Sequence, residues 1–143
     1  MSTARYGPLV GYLPGVFDLF HVGHLNALQQ AREQCDVLVA GVVSDEVCEQ
    51  VKGFRPVIPL EERVAIVDAI GIVDATYVEQ TPNKLDAWRQ VGFHLLFKGD
   101  DWRGTRKGLE LARRLASVGA EVVYFPYTVH TSSTQLRRAI AAS

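Results

Sequence analysis

The chain has 143 residues, 48% of them hydrophobic and 22% charged, with a formal net charge of −1. That length suits one domain over residues 1–143, able to bury roughly 68–70% of its unfolded surface without disulfides or a structural metal. The near-neutral balance excludes a general nucleic-acid or anionic-membrane binder, so any anion site must be local.

Cys35 and Cys48 have no CxxC spacing and read as reduced thiols. The opening MSTARYGPLV has neither a signal-peptide apolar core nor an Arg/Ser-rich presequence. No stretch reaches the roughly 18 apolar residues of a membrane span, so a cytoplasmic protein is expected.

In chain order, Leu9–Leu13 reads as a first buried strand, followed by a corner and a helix beginning near Val22 with Leu25, Leu28, Ala31 and Arg32 at 3/4 spacing. Val37–Val43 is a second strand, charge-free and rich in β-branched residues. Leu60, Val64, Val67 and Ile70 mark a helix, Ala75–Val78 a weaker strand, and Leu85, Trp88 and Val91 another helix. Phe93–Phe97 is a strand; Leu109, Ala112, Leu115 and Val118 form the next helix, and Val122–Phe125 the last strand. Gly71, Gly92 and Gly119 each follow a helical run, where a C-terminal glycine belongs. Strands alternating with helices predict βαβ units with right-handed crossovers, hence an α/β, doubly wound, five-stranded parallel sheet. Ligands of such sheets sit beyond the carboxyl ends of the strands, where strand order reverses.

The corner after strand one, GVFDLFHVGH, lies on that edge. Gly15 allows a bend, Phe17 anchors the loop beneath the sheet, and Gly23 removes a side chain between His21 and His24. A histidine pair here can be metal ligands, an acid and base, phosphate clamps or surface decoration. Metal pairs on helices usually use i, i+4 spacing with a carboxylate, whereas a helix start with free N–H groups suits polyphosphate. The pattern is neither GxGxxG nor GxxxxGK[ST].

GVFDLFHVGH resembles the HxGH signature of the nucleotidyltransferase superfamily, with flanking residues similar to the cytidylyltransferases. The resemblance implies a Rossmann-like nucleotidyltransferase fold in which His21 and His24 contact nucleotide phosphates, while Gly15, Val16, Phe17, Asp18 and Gly23 shape the nucleotide loop. SDEVCEQVKGFRPVIPLEER, residues 44–63, resembles the segment that supplies a phosphate-binding lysine and an arginine, which puts Lys52, in a loop, and Arg63 among the catalytic residues. FKGDDWRG resembles the GDDW motif of glycerol-3-phosphate cytidylyltransferases and implies that Gly99, Asp100, Asp101 and Trp102 help to hold the nucleotide base. YFPYTVHTSSTQLRRAI is similar to the family's RTEGISTT segment, so Thr128, Ser132, Ser133 and Thr134 are expected at the triphosphate.

One departure stands out. Tyr127 occupies the place of the family arginine, removing a fixed charge and a planar fork of donors. Arg103, Arg106, Arg137 and Arg138 are the candidate substitutes. The resemblance implies transfer of CMP from CTP to a small phosphate or phosphonate acceptor such as glycerol 3-phosphate, with pyrophosphate released, Mg2+ on the nucleotide phosphates, and a homodimer. The alternative is an adenylyltransferase using ATP with a sugar phosphate or flavin nucleotide, since VKGFRPVIPLEER resembles the sugar-phosphate branch.

Overall fold

The computed structural model describes residues 7–126 and 132–142. Among the described residues, five parallel strands form one sheet in the order β3-β2-β1-β4-β5. They are β1 (Val10–Gly15), β2 (Val37–Val43), β3 (Ala75–Glu79), β4 (Leu95–Gly99) and β5 (Glu121–Phe125). The helices are α1 (Val22–Arg32), α2 (Asp45–Lys52), α3 (Leu60–Asp68), α4 (Lys84–Val91), α5 (Arg106–Ala116) and α6 (Ser133–Ala142). The expected doubly wound α/β sheet is therefore present. Strand order reverses at β1, whose neighbours are β2 on one side and β4 on the other.

Period-two alternation divides the core between the two faces. Leu13, Leu38, Ala40, Val42 and Phe97 pack with Leu28 and Ala31 of α1 and Val67 of α3. Tyr12, Val39 and Leu96 pack with Ala87 of α4 and Leu111 and Leu115 of α5. On the second face the Tyr12 phenol crosses Gly41 to reach Glu79; a Cβ at Gly41 would lie 2.0 Å from that hydroxyl.

Three local differences from expectation have physical reasons. Strand β4 starts at Leu95 rather than Phe93, because Phe93 stacks on Tyr12 with ring centroids 4.8 Å apart and His94 Nδ1 accepts the Val10 amide. Helix α2 was not expected, and Lys52 is its last residue rather than part of a loop. It is capped by Ser44 Oγ, which accepts the Val47 amide at 3.1 Å, and carries Asp45 and Glu46 in its first turn, where the helix dipole favours them. Of the three glycines, Gly92 is the left-handed cap of α4, whereas α3 and α5 are capped by Ala69 and Ser117, before Gly71 and Gly119.

Candidate active site

A cavity of about 600 Å³ opens at the carboxyl edge of the sheet, where β1 and β4 meet. Its walls are the β1–α1 loop (Gly15, Val16, Phe17, Asp18), the start of α1 (His21, Gly23, His24), Lys52, Gly99 and the start of α6 (Ser132, Ser133, Thr134). The structure thus gathers residues that the sequence spreads over more than a hundred positions.

Each histidine is oriented by the amide of another residue at the start of α1. His21 Nδ1 accepts the Gly23 amide at 3.0 Å, and His24 Nδ1 accepts the His21 amide at 3.1 Å, a reciprocal capping box with imidazoles in place of the usual hydroxyl and carboxylate. An Nδ1 that accepts carries no hydrogen, so the neutral rings bear their proton on Nε2 and offer it on the side away from the helix. The rings lie 4.1 Å apart, and His24 also packs against Phe20 and Phe17. Burial lowers the pKa of both; for His24, burial, then His21 and Lys52, bring it to about 4. Near neutral pH two uncharged imidazoles present hydrogen-bond donors. The expectation of free amides at the start of α1 is corrected for three of them: the Gly23 amide goes to His21 Nδ1, and those of His24 and Leu25 go to the His21 carbonyl.

Asp18 is wholly buried between Phe17 and Leu19, both with positive φ (55° and 51°), a conformation that non-glycine residues adopt only where surroundings impose it. Its carboxylate accepts the amides of Val57 and Ile58 at 2.8 and 2.9 Å, and its carbonyl accepts Ser133 Oγ at 2.6 Å. One aspartate therefore ties the loop after α2 and the start of α6 to the β1–α1 corner.

Arg63 departs most from expectation. Its side chain is fully buried, and its guanidinium donates to the carbonyls of Ile58, Val16 and Val43 at 2.7–2.8 Å and to Asp45 Oδ1 at 2.6 Å. It does not line the cavity; it braces the loop that does, through the Val16 carbonyl. The GDDW segment also divides. Gly99 lines the cavity, but Asp100, Asp101 and Trp102 form a 3-10 turn beside it, with Asp100 bound to Arg103 at 2.6 Å. Trp102 faces a second hollow of about 210 Å³ between α4 and α5. Thr128 and Tyr127 lie outside the described residues.

Of the four candidate arginines, Arg137 reaches the cavity; it sits over the Phe54 ring at 4.2 Å and 3.7 Å from Asp18. Lys98 and Phe54 also line the cavity and were missed. Lys98 directly precedes Gly99 in FKGDDWRG.

A profile of the Cytidylyltransferase-like family matches residues 12–139. The chain is 33% identical to a "Bifunctional protein HldE" of Hyphomonas neptunium over 131 residues, which cover 91% of this chain and 26% of that protein. It thus spans about a quarter of the HldE relatives' length. It is 33% identical to an "FAD synthase" of Thermococcus sibiricus over 115 residues, covering 79% of this chain and 77% of that one. The crystal structure of a lipopolysaccharide core biosynthesis protein from Thermoplasma volcanium shares the fold, with a TM-score of 0.73, 21% identity, and coverage of 87% of this chain and all of that one. With the histidine pair at the edge where strand order reverses and the profile running almost from end to end, this chain belongs to the Cytidylyltransferase-like family of the nucleotidyltransferase superfamily.

Proposed function

We propose that this chain transfers an adenylyl group from ATP to the phosphate of a small acceptor, a sugar phosphate or a flavin nucleotide. An acceptor phosphate oxygen attacks the α-phosphorus in line; the new P–O bond forms as the bond to the β-phosphate oxygen breaks, and pyrophosphate leaves with the electron pair. No enzyme nucleophile is needed. The observation that carries the reading is the pair of imidazoles fixed through Nδ1, with Nε2–H donors beside Lys52, Ser132 and Arg137 in one cavity. Neutral donors and flanking cations stabilise charge that grows on non-bridging and leaving oxygens.

The base assignment is supported by likeness to the FAD synthase, and by the placement of Asp100 and Asp101 outside the cavity where they were expected to read cytosine. The second reading, CTP with glycerol 3-phosphate, is favoured by the GDDW motif at residues 99–102. Mg2+ on the nucleotide is part of the proposal. Among the described residues no group of three His, Cys, Asp or Glu side chains could hold a metal ion, and the cavity's N–H, ammonium and guanidinium donors suit phosphate oxygens instead. The ion fits as a companion of the triphosphate, offsetting its charge while keeping several waters.

The test is a pyrophosphate-release assay with ATP and CTP, each against sugar 1-phosphates, flavin mononucleotide and glycerol 3-phosphate. Release with ATP and a sugar phosphate or flavin mononucleotide is the expected result, and preference for CTP with glycerol 3-phosphate selects the second reading. Replacing His21 with alanine is expected to lower turnover by about 10²–10³ while the protein stays folded. A fully active variant would refute the role given to the imidazole.

A further inference from the structure

The cations of the cavity do not all lie on the same side of the sheet. In β4, Leu95 and Phe97 point to the α1/α3 face and Leu96 to the α4/α5 face. Period two therefore sends Lys98 to the α4/α5 face, beside its register partner Tyr124 and the Trp102 ring. The histidines start α1, on the opposite face. Ser133 and Arg137 of α6 are tied to Asp18 of the corner that leads into α1. The cavity straddles the sheet edge, with the imidazoles, hydroxyls and Arg137 on one side and Lys98 on the other.

Lys98 is also a half-buried cavity cation that no described carboxylate holds, whereas Lys52 is exposed to water. Its ammonium lies 3.8 Å from the centre of the Trp102 ring, and among the described residues it makes no hydrogen bond or ion pair. Nearby Lys84, by contrast, is held by the buried carboxylate of Glu79 at 2.5 Å. An aromatic face holds a cation without neutralising it, so a half-buried ammonium is left with three donors and no anion in contact with it. Taking a charge out of water without a partner is costly, and an arriving anion relieves that cost.

In-line displacement decides which anion. The attacking oxygen and the leaving pyrophosphate must lie on opposite sides of the α-phosphorus. If the α1 side holds the triphosphate, the attacking phosphate arrives from the α4/α5 side. We propose that Lys98 is the residue that receives the acceptor's phosphate monoester, and so makes the enzyme select phosphorylated acceptors; this rests on the nucleotidyl-transfer reading above.

The charge of Lys98 is itself tuned. Burial, then Lys84 and Lys52, lower its pKa to about 8, against the opposing pull of Asp101 and Glu79. Binding of the acceptor phosphate should therefore weaken above about pH 8, where the free ammonium loses its proton. Arginine, which stays charged, should not show that loss.

The experiment takes the wild-type protein, Lys98→Met and Lys98→Arg, with flavin mononucleotide, sugar 1-phosphates and glycerol 3-phosphate as acceptors. It reads acceptor KM in the pyrophosphate-release assay from pH 6.5 to 9.5, and the affinity for α,β-methylene-ATP by calorimetry. For Lys98→Met we expect acceptor KM to rise about 10- to 100-fold, as for loss of a charged hydrogen bond, with nucleotide affinity within about twofold of wild type. Lys98→Arg should restore most of the acceptor affinity and abolish its alkaline decline. An unchanged acceptor KM in Lys98→Met overturns the assignment, as does an equal loss of nucleotide affinity, which would put Lys98 on the triphosphate. Wild-type protein inert with every acceptor overturns the transfer reading itself, an outcome distinct from either. The acceptor that responds to Lys98 distinguishes sugar phosphates from flavin nucleotides.

Discussion

At the scale of single residues, the site depends on nitrogen atoms already committed before any ligand arrives. His24 illustrates the cost. Its folded pKa, about 4, lies below the ordinary value of 6.5, so between those values the unfolded chain binds more protons. The stability held by the neutral ring is complete above about pH 6.5 and is lost as pH falls toward 4, amounting to about 3 kcal/mol for this group. A His24→Gln variant should lose less unfolding free energy than wild type between pH 7 and 4.5 in urea titrations; equal losses would show that the ring is not the group responsible. Lys98 could not be singled out from sequence, because an unpaired ammonium is defined by what fails to surround it. Asp18 was legible as a loop residue, but its partners at Val57 and Ile58 are some forty positions away.

At the scale of elements, legibility followed length and uniformity. Strand β2 was predicted to the residue, because seven consecutive apolar, mostly β-branched positions fit an interior strand of a parallel sheet, covered on both faces. Helix α2 went unpredicted although Val47, Cys48 and Val51 fall at helical spacing, and Ser44 followed by two acidic residues is a capping signal that could have found it. Arg63 was misjudged: Leu60-Glu61-Glu62-Arg63 looks like an exposed first turn, and only the packing of α3 against β2 turns the arginine inward. Gly41 shows how tightly the opposite face is filled. Gly41→Ala would drive a methyl group into the Tyr12 phenol, and we expect a loss of about 1–3 kcal/mol in chemical denaturation, with the midpoint falling accordingly. An alanine variant as stable as wild type would show that Tyr12 can leave Glu79 at little cost.

At the scale of the whole molecule, the cavity is an assembly of segments distant in sequence, and Arg63 is the joint among several of them. It links the β1–α1 loop, the end of β2, the loop before α3 and the first turn of α2 through one planar group. Lysine cannot reproduce that fork. Arg63→Lys should destabilise the fold by about 3–5 kcal/mol, because Asp45 and three carbonyls lose a shared buried donor. Thermal unfolding would register this loss as a lower Tm, whereas an arginine acting only on phosphates would leave Tm unchanged and alter nucleotide affinity alone. The parallel sheet and the edge that carries the cavity were readable from pattern, but this cross-bracing was not, since no local spacing encodes which carbonyls a side chain will meet. Because a single guanidinium spans so many walls, the rim is expected to come apart as one cooperative unit. Amide exchange at Val16, Val43 and Ile58 should then share a common opening free energy, so that a ligand gripping any one wall slows exchange at all the others.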